Sequence, residues 1–164
     1  MMSLRAFLEN VLKGKNYLIV CMGNSLRGDD SVGLLVGQNL ISHGCENVII
    51  VESSLENALG FIIEKKPEVV LFIDAVHSSL EEGDIIFVKI GEYKDSLRTH
   101  LLTTHSLPFS LLLEYLKQEL PNTDFYLVGI QVSHTIIGTQ LCSKVEKAEK
   151  MLVKVMLDIL KRGI

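Results

Sequence analysis

The sequence predicts an α/β protein, a three-layer α/β/α sandwich around a twisted, mostly parallel sheet of five or six strands. Two observations carry this prediction. Short apolar runs rich in β-branched residues alternate with stretches whose apolar residues recur at helical spacing, the pattern of β-α-β units with parallel pairing. The 164 residues, 48% hydrophobic and 22% charged, suffice for the core of one domain and hardly for two. With no internal repeat, low-complexity stretch or linker, the expected organisation is a single domain over residues 1–164.

The elements follow in order. Asn16 to Met22 is a short β-rich run closed by Gly23-Asn24, the pattern of a strand covered on both faces. Val32, Leu35, Val36 and Leu40 then recur at helical spacing, with His43-Gly44 as a stop, which predicts a helix near residues 30–43. Val48 to Val51 reads as a strand, Leu55 to Lys66 as a helix, and Val69 to Ala75 as a strand. Asp84 to Ile90 alternates more openly and suits a position nearer the sheet edge, whereas Phe125 to Ile130 is again strongly apolar. Leu107 to Leu120 predicts a helix, with Pro108 in its first turn and Leu112 and Leu116 on its apolar face. A long last helix from Cys142 to Arg162 carries Val145, Ala148, Leu152, Val155 and Ile159 on one stripe. Its lysines are interleaved with Glu146, Glu149 and Asp158, as on an ordinary solvated face.

Composition excludes several classes of function. Sixteen basic against twenty acidic residues give a net charge of −4, and the bases are scattered, so no nucleic-acid partner is expected. Charges or glycines interrupt every apolar window approaching the roughly 20 residues of a membrane span. Residues 1–13 include Arg5, Glu9 and Lys13 and lack a signal-peptide core, so a cytoplasmic location without membrane insertion is expected. Cys21, Cys45 and Cys142 are distant in sequence and lack CxxC spacing. Neither a disulfide framework nor a thiolate zinc site is indicated, and each is expected to be a small buried hydrophobe.

In an open parallel sheet, ligands bind beyond the carboxyl ends of the strands, which directs attention to three segments. The first is Gly23-Asn24-Ser25-Leu26-Arg27-Gly28-Asp29-Asp30. The two glycines have the spacing of a phosphate-binding loop, but Lys and Ser or Thr should follow, and Asp29-Asp30 would repel an anion, so no nucleotide is expected. Capping of the following helix is the plain alternative for these two acids. The second is Asp74, which ends five apolar residues, where an ionised carboxylate is costly unless it is paired or metal-bound; the alternative is a turn residue bonded to the backbone. The third is His105, in Thr103-Thr104-His105-Ser106, whose alternative is a surface imidazole. Together two carboxylates and an imidazole supply oxygen and nitrogen ligands for a borderline ion such as Ni²⁺ or Zn²⁺, with coordination positions left open. His77, His100 and His134 compete for the role of the imidazole, and His77 is the strongest rival because it follows Asp74 closely.

Leu18 to Gly33, Phe72-Ile73-Asp74-Ala75 and Thr103 to Pro108, taken in that order, resemble the nickel-iron hydrogenase maturation endopeptidases. The Thr-Thr-His-x-x-Pro form is most similar to the formate-hydrogenlyase and membrane-bound hydrogenase type. The resemblance implies a protease that removes a C-terminal extension from the hydrogenase large-subunit precursor once nickel has been inserted. It also implies that Asp30, Asp74 and His105 are the metal-contacting and catalytic positions, with the nickel carried by the substrate. The family's fold, a twisted sheet between helix layers, agrees with the reading from periodicity. Where the family usually has an acid followed by a glycine turn after the second strand, this chain has Glu52-Ser53-Ser54, and serine is less free than glycine to take positive φ. Glu52, with Asn24 and Asp29 of the first loop, forms the expected substrate-binding set. The rivals are a non-catalytic chaperone sensing nickel with the same ligands, and an esterase like peptidyl-tRNA hydrolase. The latter shares the Gly-Asn turn but expects a His-Asn pair and a basic cleft. A plain nucleotide-binding domain is opposed by the two aspartates.

Overall fold

A computed structural model of the chain describes residues 1–52, 54–91, 102–103, 109–133 and 140–162. It begins with a helix that the sequence reading did not assign, α1 (Leu4–Leu12), followed by β1 (Tyr17–Gly23). The Ser3 hydroxyl accepts the Ala6 N–H at 3.2 Å and caps α1, while Phe7, Leu8, Val11 and Leu12 form its buried side. Next come a 3₁₀ turn (Gly28–Ser31), α2 (Val32–Ser42) and β2 (Val48–Glu52). The expected helix over 55–66 is divided into a 3₁₀ turn (Leu55–Ala58) and α3 (Leu59–Lys65), which ends where Lys66 adopts φ +45° before Pro67. The chain continues through β3 (Val69–His77), β4 (Ile85–Lys89), β5 (Leu102–Thr103), α4 (Phe109–Glu119), β6 (Asp124–Gln131) and α5 (Ser143–Arg162).

The strand order is β2-β1-β3-β6-β4, with the two-residue β5 beside the end of β3. The pairings β1–β2, β1–β3 and β3–β6 are parallel; β4–β6 and β3–β5 are antiparallel. Thus the segment read as nearer an edge, β4, is an edge strand. Helices cover both faces, which makes the three-layer sandwich: α1, α2 and α5 pack on one apolar cluster, α3 and α4 on the other. Central β3 is buried from Val69 to Val76 because both its faces are covered, and this is why its apolar run does not alternate. Phe72 meets Phe109 of α4 edge-on with ring centroids 5.0 Å apart, fixing that helix to the centre of the sheet.

Two helix faces depart from the reading. On α4, Leu113 and Leu116 are the buried residues and Leu112 is half-buried. On α5, Val145, Ala148, Leu152 and Ile159 are buried as expected, but Val153 and Met156 complete the stripe and Val155 is half-buried. Glu149, expected on the solvated face, is instead 5% exposed and accepts a hydrogen bond from Asn39 of α2 at 2.6 Å. The stripe is wider than one residue per turn because α5 packs on both α1 and α2. Burial pushes the Glu149 carboxyl above the usual range, against the lowering effect of the Asn39 bond. An acid raised on folding binds more protons in the native state, so stability is lost as pH rises from its unfolded to its folded pKa. Glu149→Gln, which keeps the acceptor for Asn39, is therefore expected to raise the melting midpoint at pH 7. That gain should shrink toward zero as the pH is lowered through the carboxylate range in thermal scans.

The cysteines are all free. Cys21 is buried as expected, whereas Cys45 and Cys142 are only half-buried, Cys45 against the apolar cluster and Cys142 at the start of α5. Among the described residues no helix is long and apolar enough to cross a membrane.

Candidate active site

The loop after β1 folds back on itself. Asn24 Oδ1 accepts the Leu26 N–H at 2.9 Å, and the Arg27 N–H reaches the Asn24 carbonyl at 3.3 Å. The Asn24 N–H donates to the Asp30 carbonyl at 3.0 Å, while the Asp30 N–H donates to the Arg27 carbonyl at 2.9 Å. Gly28 takes φ +49°, which a side chain would oppose, and its carbonyl accepts the Ser31 hydroxyl at 2.7 Å. These bonds close a compact turn that takes Asp29 and Asp30 out of solvent, to 0% and 2% exposure. Asn24, expected to meet substrate, has its side-chain oxygen engaged within the turn.

Asp74 is fully buried near the end of β3, where its Oδ1 accepts the N–H of Ala75 at 2.8 Å. In register it stands opposite Gly129 of β6. Gly33 of α2 sits against both strands: an ideal Cβ there would lie 2.0 Å from the Met22 carbonyl oxygen and 2.9 Å from that of Ile73. The start of α2 thus rests directly on the backbones of β1 and β3. Asp30 lies three residues before that contact and Asp74 one residue after Ile73. The Cys21 thiol on the neighbouring strand is pushed far up, chiefly by burial and secondarily by the Asp74 charge, an electrostatic mark of that carboxylate's proximity to β1.

His77, the nearest rival imidazole, ends β3 half-buried and pairs with Leu102 of β5. Strand alternation puts it on the opposite face from Asp74. His105, His100 and His134 lie outside the described residues.

Glu52 is exposed at the end of β2 and is held by the first loop: its Oε1 accepts both the hydroxyl of Ser25 and, at 3.1 Å, the Ser25 N–H. The Ser25 hydroxyl, followed by its N–H, holds the Glu52 carboxyl below the usual range. For an acid lowered on folding, the contact's contribution is present above the unfolded pKa and lost as pH falls through the folded one. The Ser25 amide proton signal is therefore expected to move with a midpoint below that of an ordinary glutamate, and Glu52→Gln should abolish the titration.

Ser31, and neither acid of the first loop, occupies the N-cap of α2, and it makes no side-chain capping bond. Asp29 instead reaches the start of α5, where its Oδ1 accepts the Cys142 N–H at 2.7 Å. The donor atoms of Asp29, Glu82 and Cys142 lie within 4.8 Å of one another, a group of three that the sequence reading did not assemble. Glu82 sits in an acidic turn, Glu81 to Asp84, and Cys142 precedes a helix 113 residues from Asp29, so only the N-cap position of Cys142 hinted at this meeting.

The chain is an α/β/α protein with two buried carboxylates, Asp30 and Asp74, beyond and near the carboxyl ends of the adjacent parallel strands β1 and β3, where ligands of such sheets bind. The family model for HycI, hydrogenase maturation protease, matches residues 40–159. Hydrogenase 3 maturation protease of Escherichia coli K12 is 30% identical over 116 residues, covering 70% of this chain and 71% of that protein. The crystal structure of the nickel-iron hydrogenase maturation protease HycI from Thermococcus kodakarensis superposes with a TM-score of 0.78 at 29% identity, covering 94% of this chain and 99% of that one. The HybD maturation protease of the same organism shares the fold, with a TM-score of 0.74 at 23% identity over 88% and 99% of the two chains. The chain belongs to the hydrogenase maturation protease family and is an endopeptidase by class.

Proposed function

We propose that this protein removes the C-terminal extension of a nickel-iron hydrogenase large-subunit precursor, recognising the precursor by the nickel it carries. The observation that supports the reading is the burial of two carboxylates, Asp30 in the turn after β1 and Asp74 near the end of β3, with α2 seated on both strands. Burying two acids is costly unless a cation or a proton is shared with them. With His105 they form a two-oxygen, one-nitrogen donor set that suits a borderline ion and leaves positions open for a peptide carbonyl or a water.

In this reading Asp30, Asp74 and His105 contact nickel in the precursor, so the scissile peptide is aligned only when the metal is present. One carboxylate takes the proton of the attacking water and returns it to the leaving amine. A three-ligand set binds an ion weakly alone, which makes the ion a property of the substrate and explains selection of loaded over empty precursor. Glu52, held beside the first loop by Ser25, is poised to orient the peptide. We place the reaction in the cytoplasm. Family membership favours proteolysis over a nickel-sensing chaperone or an esterase acting on peptidyl-tRNA.

The test compares the intact masses of all hydrogenase large subunits from nickel-supplied cells with and without this protein. One subunit should keep a C-terminal extension only when the protein is missing. Normal trimming of every subunit in both strains would contradict the proposal.

A further inference from the structure

Asp29 is fully buried beside Asp30, yet its hydrogen bonding leads away from the strand ends. Its Oδ1 accepts the Cys142 N–H, and the Cys142 carbonyl in turn accepts the Glu146 N–H at 2.9 Å, so Asp29 meets the first turn of the 20-residue α5. There a carboxylate both satisfies a donor with no partner inside the helix and opposes the positive end of the helix dipole. The Cys142 thiol, an Asp29 oxygen and a Glu82 oxygen lie within 4.8 Å of one another, and burial foremost, with Glu82 and Asp29 beside it, holds the thiol above its ordinary pKa against the lowering effect of a backbone bond at Val145. Glu82 arrives on the turn before β4, which is itself seated on α5: a Cβ on Gly83 would stand 2.8 Å from the Lys144 carbonyl oxygen. Three segments remote in sequence therefore converge on one carboxylate.

We infer that Asp29 is a positioning residue, the anchor by which Cys142 and Glu82 hold the turn that carries Asp30, and that it does not contact substrate. The inference rests on the reading of Asp30 as a reacting group. Full burial and the inward bonds oppose the expected substrate-binding role, and adjacency in a four-residue 3₁₀ turn makes any movement of Asp29 a movement of Asp30.

The experiment measures cleavage of nickel-loaded precursor by wild type, Asp29→Ala, Asp29→Asn and Cys142→Ala, together with the backbone amide and carboxyl NMR signals of Asp30 in each free protein. Misplacing a reacting group by an ångström costs about 10²-fold in rate, so Asp29→Ala should lose kcat on that scale with KM within about twofold. Asp29→Asn keeps an acceptor for the Cys142 N–H and should restore kcat to within about threefold. Cys142→Ala keeps the N–H but removes the thiol, and should shift the Asp30 signals in the same direction as Asp29→Ala by a smaller amount. A rise in KM at constant kcat in Asp29→Ala would overturn the inference, as would an Asp29→Asn protein as impaired as the alanine variant. If Asp29→Ala does not fold, Cys142→Ala decides: unchanged Asp30 signals overturn the anchor. If wild type cleaves no precursor, the proposed function fails separately. The NMR signals then decide the anchor, which stands if they shift in Asp29→Ala and return in Asp29→Asn, and falls if they do not move.

Discussion

Asp74→Asn is expected to abolish precursor processing while leaving the fold intact. Asparagine has the volume of aspartate, and its Oδ1 can still accept the Ala75 N–H, so β3 keeps its local bond and its pairing with β1 and β6. What disappears is the charge in a fully buried position, and with it both an anionic ligand and a base. Removing a general base alone lowers rates by about 10²–10⁴-fold, and losing an anionic ligand adds to this. Cleavage followed by intact mass should therefore fall at least about 100-fold, with a melting midpoint no lower than that of wild type. A neutral side chain at a buried site is no harder to fold than a charged one. An Asp74→Asn protein that trims precursor at the wild-type rate would show that Asp74 has no part in the reaction.

The second large effect is on stability. Gly33→Ala places a Cβ where two backbone carbonyl oxygens of the central strands already lie, at 2.0 and 2.9 Å. Neither oxygen belongs to a flexible side chain, so the clash is relieved only by lifting α2 off β1 and β3. Overpacking a rigid site costs about 1–3 kcal/mol and occasionally more, and contact this short with backbone belongs at or above about 3 kcal/mol. Chemical denaturation should show that loss with an unchanged denaturant slope. Because the same contact seats the helix that follows the Asp30 turn, residual folded protein should also process poorly. A stability change below about 1 kcal/mol would mean that α2 is seated differently.

Much of this architecture is legible in the sequence because its signals are local. Val69 to Ile73 announces a doubly covered strand by having no polar alternation, and the polar residue that ends such a run, Asp74, stands out for that reason. The acids after Gly28 are visible in the same way, at the mouth of the first strand. Helix α1 is legible as well, since Phe7, Leu8, Val11 and Leu12 recur at helical spacing behind the capping Ser3, a pattern the sequence reading passed over. Other features depend on meetings between distant segments. Glu149 reads as one acid among lysines, and its burial follows from where α2 crosses α5, through Asn39. Cys142 reads as a small apolar residue until its N–H is found on Asp29. Capping of α2 was the simplest role for Asp29 because sequence shows only the helix that follows, whereas the helix that it meets begins 113 residues later. His105 lies outside the described residues, so its part in the site stands on the resemblance of its segment to the family.

The most direct test of the central claim uses purified protein and two preparations of the same large-subunit precursor, one loaded with nickel and one metal-free, followed by intact mass. The account predicts a single C-terminal cut in the loaded precursor and none in the empty one over the same period. Equal cleavage of both preparations, or cleavage of neither, would contradict it.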